Sequence, residues 1–355
     1  ARPGGDEFTI LLEDLRDTAD AVRVGERLLA LLRAPFEING HEIYISASIG
    51  IASSASDYAS VADVLRDADL AMYRAKSMGK GRCEVYDTTM HALAVTRLTL
   101  EGELRRALQN HEFVLHYQPI VSLASSEVVG FEALVRWHKP GRGLVYPGEF
   151  IDVAEDTGLI VPLGAWVLRE ACRTMRRLQL DYPRDKSLTI SINVSARQFA
   201  QPDLMRHVRR VIDETGIPPD SVRLEITESV TMGDAQRTVQ VLQSLKDLGV
   251  RLSIDDFGTG FSSLAYLKRF PIDFVKIDRT FTDGLGTDDN DTAIVKATIA
   301  LAHSLGLRVV AEGVETTAQR DLLRELGCDL GQGYLFARPL DAMTFEAMLN
   351  EQHTR

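Results

Sequence analysis

From residue 113 onward the chain reads as short apolar runs, each closing on a polar side chain: VLHYQPIV, VVGFEALVRW, LTISINVS, VRLEITE, VRLSIDD, DFVKID, LRVVAEGVE and CDLGQGYLF. Runs of this length, rich in Val, Ile and Leu, predict strands. Between them fall segments of helical period. The clearest carries Pro162 in its first turn and sets Leu163, Trp166, Val167, Ala171, Met175 and Leu178 on one stripe. Strand and helix alternating about eight times predict an α/β fold, a TIM-like (β/α)8 barrel, whose sites lie at the C-terminal ends of its strands.

The first part of the chain is patterned differently. TILLEDL and EIYISASIGIA predict strands around a helix over residues 18–33, and ASVADVLRDADLAMYRAKSMGKGR predicts a second helix closed by glycines. Leu93, Leu98, Leu104 and Leu108 then recur at loosely helical spacing in a charged segment. The expected organisation is therefore a partial α/β module over residues 1–87, a connecting helix over 88–112, and the barrel over 113–355.

Composition narrows the field. The 355 residues are 45% hydrophobic and 26% charged, the proportions of an ordinary globular protein. A formal net charge of -11 argues against a groove for a nucleic-acid polymer. An anionic substrate has to be drawn in locally, by metals or a few placed cations. No apolar run approaches membrane-spanning length, and the N-terminus carries no signal-peptide pattern. Cys83, Cys172 and Cys328 are widely spaced and odd in number, which fits a reducing cytoplasm better than a disulfide framework. That location holds whether the chain stands alone or is the cytoplasmic part of a larger membrane-bound sensor.

The polar terminations carry the candidate chemistry. Glu132, Asn193, Glu225 with Glu228, Asp255 with Asp256, and Glu312 close five separate strand-like runs. If those ends converge, two like charges about 4 Å apart repel by roughly 4 kcal/mol at an effective dielectric near 20, so the group needs protons or cations. Carboxylate and amide oxygens without Cys or His are hard ligands, which favour Mg²⁺, Mn²⁺ or Ca²⁺ over zinc. Adjacent Asp255 and Asp256 cannot both point inward from a regular strand, so the pair is expected where the strand ends. The FGTGFSSL run that follows has glycines suited to a gating loop.

Each of these residues also has a plainer reading. A single strand-end acid is more often a helix cap or surface group than a ligand. Asn193 is favoured as a ligand because an amide buried after ISI without a partner is costly. Arg136 suits either a phosphate or a structural pairing with an acid such as Glu132. Gln118 and Gln332 suit either a substrate or unsatisfied backbone groups. Trp137, Trp166 and the scattered histidines are assigned to structure.

The motifs FEALVRW, SINVSARQF, LEITES, IDDFGTGFSSL, VKIDRTF, VVAEGVE and GQGYLFARPL, in this order, resemble an EAL domain, the cyclic di-GMP phosphodiesterase family, over residues 113–351. The resemblance implies metal-dependent hydrolysis of cyclic di-GMP to linear pGpG, lowering a bacterial second messenger. It implies that Glu132, Asn193, Glu225 and Asp255 ligate one metal, that Asp255 bridges to a second bound by Asp256, and that Glu312 contacts the second metal or its water. Lys276 would hold and polarise the attacking water, and Glu228 would fix the loop after IDDFG. Gln118, Arg136, Gln332 and the FARPL segment with Pro339 would lie against the dinucleotide. Two Mg²⁺ or Mn²⁺ per site are expected, Ca²⁺ as an inhibitor, and a homodimer through the barrel. The alternative is a non-catalytic cyclic di-GMP receptor that signals through a partner.

ARPGGDEF, SIGIA and DADLAMYRAKSMGKGR resemble the second half of a GGDEF domain, the diguanylate cyclase family. Gly4, Gly5, Asp6 and Glu7 are present, but the implied half of a nucleotide site is not expected to cyclise GTP. The region is expected to be a truncated or vestigial cyclase module.

Overall fold

The computed structural model describes residues 1–38, 41–54, 58–182, 188–228, 235–258 and 267–353. They form two compact units, Ala1–Leu100 and Glu101–Arg355. In the first, α1 (Thr18–Leu32) begins where the Asp17 side chain accepts from the Asp20 N–H, and α2 (Val61–Ser77) where Ser60 accepts from the Asp63 N–H. Each cap satisfies a backbone donor that has no partner within the helix. The strands are short: β1 (Phe36–Ile38) pairs antiparallel with β2 (His41–Ile43), and β3 (Ile49–Ile51) pairs parallel with β4 (Cys83–Val85).

Two expectations fail here. TILLEDL forms no strand, and Phe8, Ile10 and Leu11 stand exposed; EIYISASIGIA divides into β2 and β3 with unladdered residues between. A strand persists only where a neighbour completes its backbone ladder, and residues 10–15 have no ladder partner among the described residues. The GGDEF segment is a tight turn in which Gly4 and Glu7 pair and Gly5 takes φ +56. A single helix, α3 (Thr88–Gln109), runs across the boundary between the units.

The second unit is an eight-stranded closed barrel. Its strands are β5 (Phe113–Ser122), β6 (Val128–Lys139), β7 (Thr189–Val194), β8 (Val222–Thr227), β9 (Arg251–Phe257), β10 (Phe274–Ile277), β11 (Arg308–Ala311) and β12 (Leu330–Gly331). Neighbours β6 to β12 pair parallel, as the alternation predicts. The first strand departs from it. β5 runs antiparallel to both β6 and β12, and no helix separates it from β6. The turn at residues 123–127 is too short for a parallel crossover, which needs a dozen or more residues, so the chain must fold back as a hairpin. This reversal puts Gln118 opposite Glu132.

Ile120, Phe274, Val310 and Leu330 pack as a buried cluster within the barrel. Outside it, α4 (Ile160–Asp181) buries Leu163, Val167, Ala171, Met175 and Leu178, the stripe read from the sequence, whereas Trp166 is half-buried. Trp137 is 1% exposed among Phe113 and Phe150, which makes it core. The ladders of β11 and β12 are shorter than the apolar runs suggested. Glu312 and Gln332 therefore lie just past the last paired residues, at the mouth.

Candidate functional site

Alternation along the strands decides what reaches the barrel's centre. Glu225 on β8, Asp255 on β9 and Lys276 on β10 share the inward face, and Lys276 meets all the others. Its Nζ lies 2.7 Å from Glu225, 3.2 Å from Asp255, 2.6 Å from Glu312 and 3.7 Å from Glu132. Glu132 is held from both sides: Asn193 Nδ2 donates to Oε1 at 2.7 Å and Gln332 Nε2 to Oε2 at 2.6 Å. Gln332 also donates to Gln118 Oε1 at 3.1 Å, and Gln118 Nε2 to the Ala337 carbonyl at 3.1 Å. The five polar terminations thus converge on one constellation.

The conflict between Asp255 and Asp256 is resolved by a single backbone torsion. Asp256 takes φ +54, the left-handed region, and the pairing of β9 with β10 slips between Ile254 and Phe257. The irregular step turns the second carboxylate toward the first, so that ligand oxygens of Asp255, Asp256 and Glu312 come within 4.8 Å of one another. Non-glycine residues in this region carry strain, and Asp is among those that tolerate it best. Glu228 accepts from the Gly258 N–H at 3.3 Å, at the start of the FGTGFSSL loop. The rest of that loop, residues 259–264, to which the gating role was assigned, lies outside the described residues.

Electrostatics show what this arrangement lacks. Five carboxylates against one ammonium leave four formal negative charges in and around a buried centre. Burial pushes Glu225 up to about 7 and Glu312 up to about 8, with neighbouring acids adding to the rise and Lys276 opposing it. Asp256 is also raised, first by burial and then by Asp255. Burial disfavours the Lys276 ammonium, yet the surrounding acids outweigh it and hold the proton well beyond the usual lysine range. Glu225 Oε1 and Gln332 Oε1 are buried with no hydrogen-bond partner among the described residues. Orphaned acceptor oxygens, excess negative charge and a donor set made wholly of oxygen fit hard divalent cations.

Above this centre opens a pocket of about 320 Å³ lined by Gln118, Glu132, Asn193, Asp255, Glu312 and Gln332 among others. Asn193 is exposed to it, which corrects the expectation of a buried amide; its side chain is held by Glu132. Arg136 is buried and is not part of the lining; it donates to the Val135 carbonyl and lies 5.2 Å over the Tyr146 ring. Pro339 is not part of the lining; its carbonyl lies 3.4 Å from His116 Nδ1. Sequence reasoning passed over Arg279, Glu315 and Tyr334, which also line the pocket. Arg279 pairs with Glu315 at 3.0 Å. The signal available was Gly313 between Glu312 and Glu315: it takes φ +66, and a Cβ there would fall 2.4 Å from Arg279 Cγ.

Comparison with known proteins agrees with this geometry. The EAL domain family model matches residues 101–339, and the model for the diguanylate cyclase GGDEF domain matches residues 1–82. The chain is 46% identical over 342 residues to MucR of Pseudomonas aeruginosa, described as a bifunctional diguanylate cyclase and cyclic di-GMP phosphodiesterase, covering 96% of this chain and 50% of MucR. It is 40% identical to NbdA of the same organism, described as a cyclic di-GMP phosphodiesterase, covering 98% of this chain and 44% of NbdA. The chain thus spans about half the length of these relatives. A solved MucR phosphodiesterase structure in complex with c-di-GMP superimposes with a TM-score of 0.67 at 48% identity, covering 70% of this chain and 99% of that one. The barrel, the acid cluster at its mouth and the family match over residues 101–339 together establish that the chain belongs to the EAL domain family.

Proposed function

We propose that this chain hydrolyses cyclic di-GMP to linear pGpG in a reaction that depends on divalent metal. The observation that carries the proposal is the clustering of Glu132, Glu225, Asp255, Asp256 and Glu312 around Lys276 at the barrel mouth. Glu132, Asn193, Glu225 and Asp255 are the residues to hold one ion, with Asp255 shared and Asp256 and Glu312 serving a second. Mg²⁺ or Mn²⁺ bound there supplies an activated water near neutral pH and offsets charge gathering on the phosphoryl oxygens.

The residues of the chain divide the remaining work. Lys276, held by Glu225 and Glu312 and protonated, would orient the attacking water by donating a hydrogen bond. Arg136, whose Nε has no hydrogen-bond partner among the described residues, is suited to a substrate phosphate. Gln332 holds Glu132, Gln118 accepts from Gln332 in turn, and both face the pocket that the dinucleotide would fill, while Glu228 anchors the backbone at Gly258. Pro339 and the FARPL segment, outside the pocket lining, are tied to β5 through Leu340 and Tyr117 and are the residues to meet the dinucleotide beyond it. The acid cluster is complete, which sets the receptor alternative aside.

A homodimer through the barrel and a cytoplasmic setting belong to the same proposal; no helix among the described residues is long and apolar enough to cross a membrane. The test is chromatographic. Protein stripped with EDTA should leave cyclic di-GMP intact, and Mg²⁺ or Mn²⁺ should restore conversion to the linear dinucleotide, with Ca²⁺ inhibiting. Full activity in EDTA would exclude the proposal.

A further inference from the structure

The opposite end of the barrel carries a second concentration of charge, of the other sign. Arg251 opens β9, Arg308 opens β11, and Arg223 is the second residue of β8. Arg223 and Arg251 are paired directly in register, and Arg308 pairs with Phe274 on β10. Strand alternation places all three on the inward face: Arg223 is two residues below Glu225, Arg251 four below Asp255, and Arg308 two below the core residue Val310.

Arg223 is 2% exposed and lies flat against Phe274, its guanidinium carbon 3.6 Å from the ring centroid; that of Arg308 is 5.5 Å from the same ring. Stacking occupies a face of the guanidinium and leaves its edge. Nε and Nη1 of Arg223 are buried with no hydrogen-bond partner among the described residues, and so are the hydroxyls of Ser191 and Ser253 on the flanking strands. Ser191 is in register with Arg223. Of the acids nearby, Asp273 takes Lys246 and the Leu252 N–H, Asp329 takes His303, Arg308 and the Val309 N–H, and Glu225 takes Lys276 through Oε2 with no hydrogen bond to Arg223. Buried donors left unpaired beside two further arginines require an acceptor that the described residues do not supply.

We infer that the N-terminal end of the barrel binds a small tetrahedral oxyanion of the phosphate or sulfate class, held by Arg223, Arg251 and Arg308 with the hydroxyls of Ser191 and Ser253. A planar guanidinium fork matches such an anion through paired N–H donors. The site lies directly below the acid cluster on the same inward face: Arg223 is two residues from Glu225, and Ser191 and Ser253 are in register with Glu132 and Glu225.

Melting of the whole chain in EDTA, at fixed ionic strength and millimolar anion, tests this. Phosphate or sulfate in place of chloride should raise the melting temperature by at least about 2 °C, the scale expected when a ligand binds only the native state. Arg251→Gln and Arg308→Gln should each remove the shift, and Arg136→Gln should keep it. Acetate should do no more than chloride. Equal melting in phosphate and chloride, or a shift that survives in both Arg251→Gln and Arg308→Gln, overturns the inference. Crystals of the wild-type chain soaked in selenate give an answer that no variant's folding affects: an anomalous peak at Arg223 is expected, and ordered water alone there refutes the site.

Discussion

Replacing Lys276 by Met removes a 1% exposed ammonium that lies within 3.7 Å of four carboxylates. Methionine keeps most of the volume and none of the charge, so the effect is electrostatic. Breaking a buried ion pair by deleting one partner costs about 3–5 kcal/mol, because the surviving charge stays buried and uncompensated. For a domain of this size each kcal/mol moves the melting temperature by roughly 2–4 °C, giving a fall of roughly 6–20 °C in metal-free protein. Acid should soften the penalty: Glu225 and Glu312, raised to about 7 and about 8, take up protons and shed their repulsion at pH 6 but not at pH 9. Saturating Mn²⁺ should also narrow the gap, since the ions replace the lost charge. Turnover should nevertheless stay at least about 100-fold below wild type, the usual scale for losing a group that activates water. The assay is differential scanning calorimetry at both pH values, with and without Mn²⁺, on Lys276→Met and on the double variant with Glu225→Gln. The reasoning is refuted if the metal-free single variant melts at or above wild type, or if deleting a carboxylate as well restores nothing.

Further outcomes follow from the same geometry. Asp255→Asn should weaken Mn²⁺ binding in calorimetric titration more than Asp256→Asn and abolish turnover, because Asp255 is assigned to both ions. Apparent Mn²⁺ affinity should rise from pH 6 to pH 9 with proton release. The sign follows because Glu225 and Glu312, with folded-state pKa values above their ordinary range, favour the metal-free fold below about pH 4.5 and lose that contribution as pH climbs through about 7 and about 8, where ligation needs them ionised. Gly313→Ala, with φ +66 and a Cβ 2.4 Å from Arg279 Cγ, should destabilise the fold by about 1–3 kcal/mol in urea titration and raise KM through displaced Arg279. The 355-residue chain should make no cyclic di-GMP from GTP in a radiolabel assay, since Asp6 and Glu7 stand exposed in an isolated turn.

The acid cluster was legible in the sequence almost whole, because inward-facing strand ends are fixed by a period of two and each apolar run stops on its own polar residue. What it concealed was local. The direction of β5 depended on a turn whose shortness is visible, yet the apolar run VLHYQPIV is the same read either way. The placement of Asp256 depended on one torsion that no period encodes. TILLEDL has strand composition, but composition cannot provide the neighbouring strand. Arg279, Glu315 and Tyr334 enter the pocket from segments beyond the strand ends, where periodicity gives no signal, and Arg223 looked like an ordinary strand charge until burial left its donors unpaired.

The central claim is metal-dependent hydrolysis at the mouth of the barrel, and it is tested most directly by measuring binding and cleavage of cyclic di-GMP together on the wild-type chain. The account predicts affinity in Ca²⁺ without cleavage, and in Mg²⁺ or Mn²⁺ conversion to the linear dinucleotide; Lys276→Ala and Glu312→Ala should keep the affinity and lose at least about 100-fold in turnover. A wild-type chain that binds the cyclic dinucleotide tightly and leaves it uncut in both Mg²⁺ and Mn²⁺ would contradict the account.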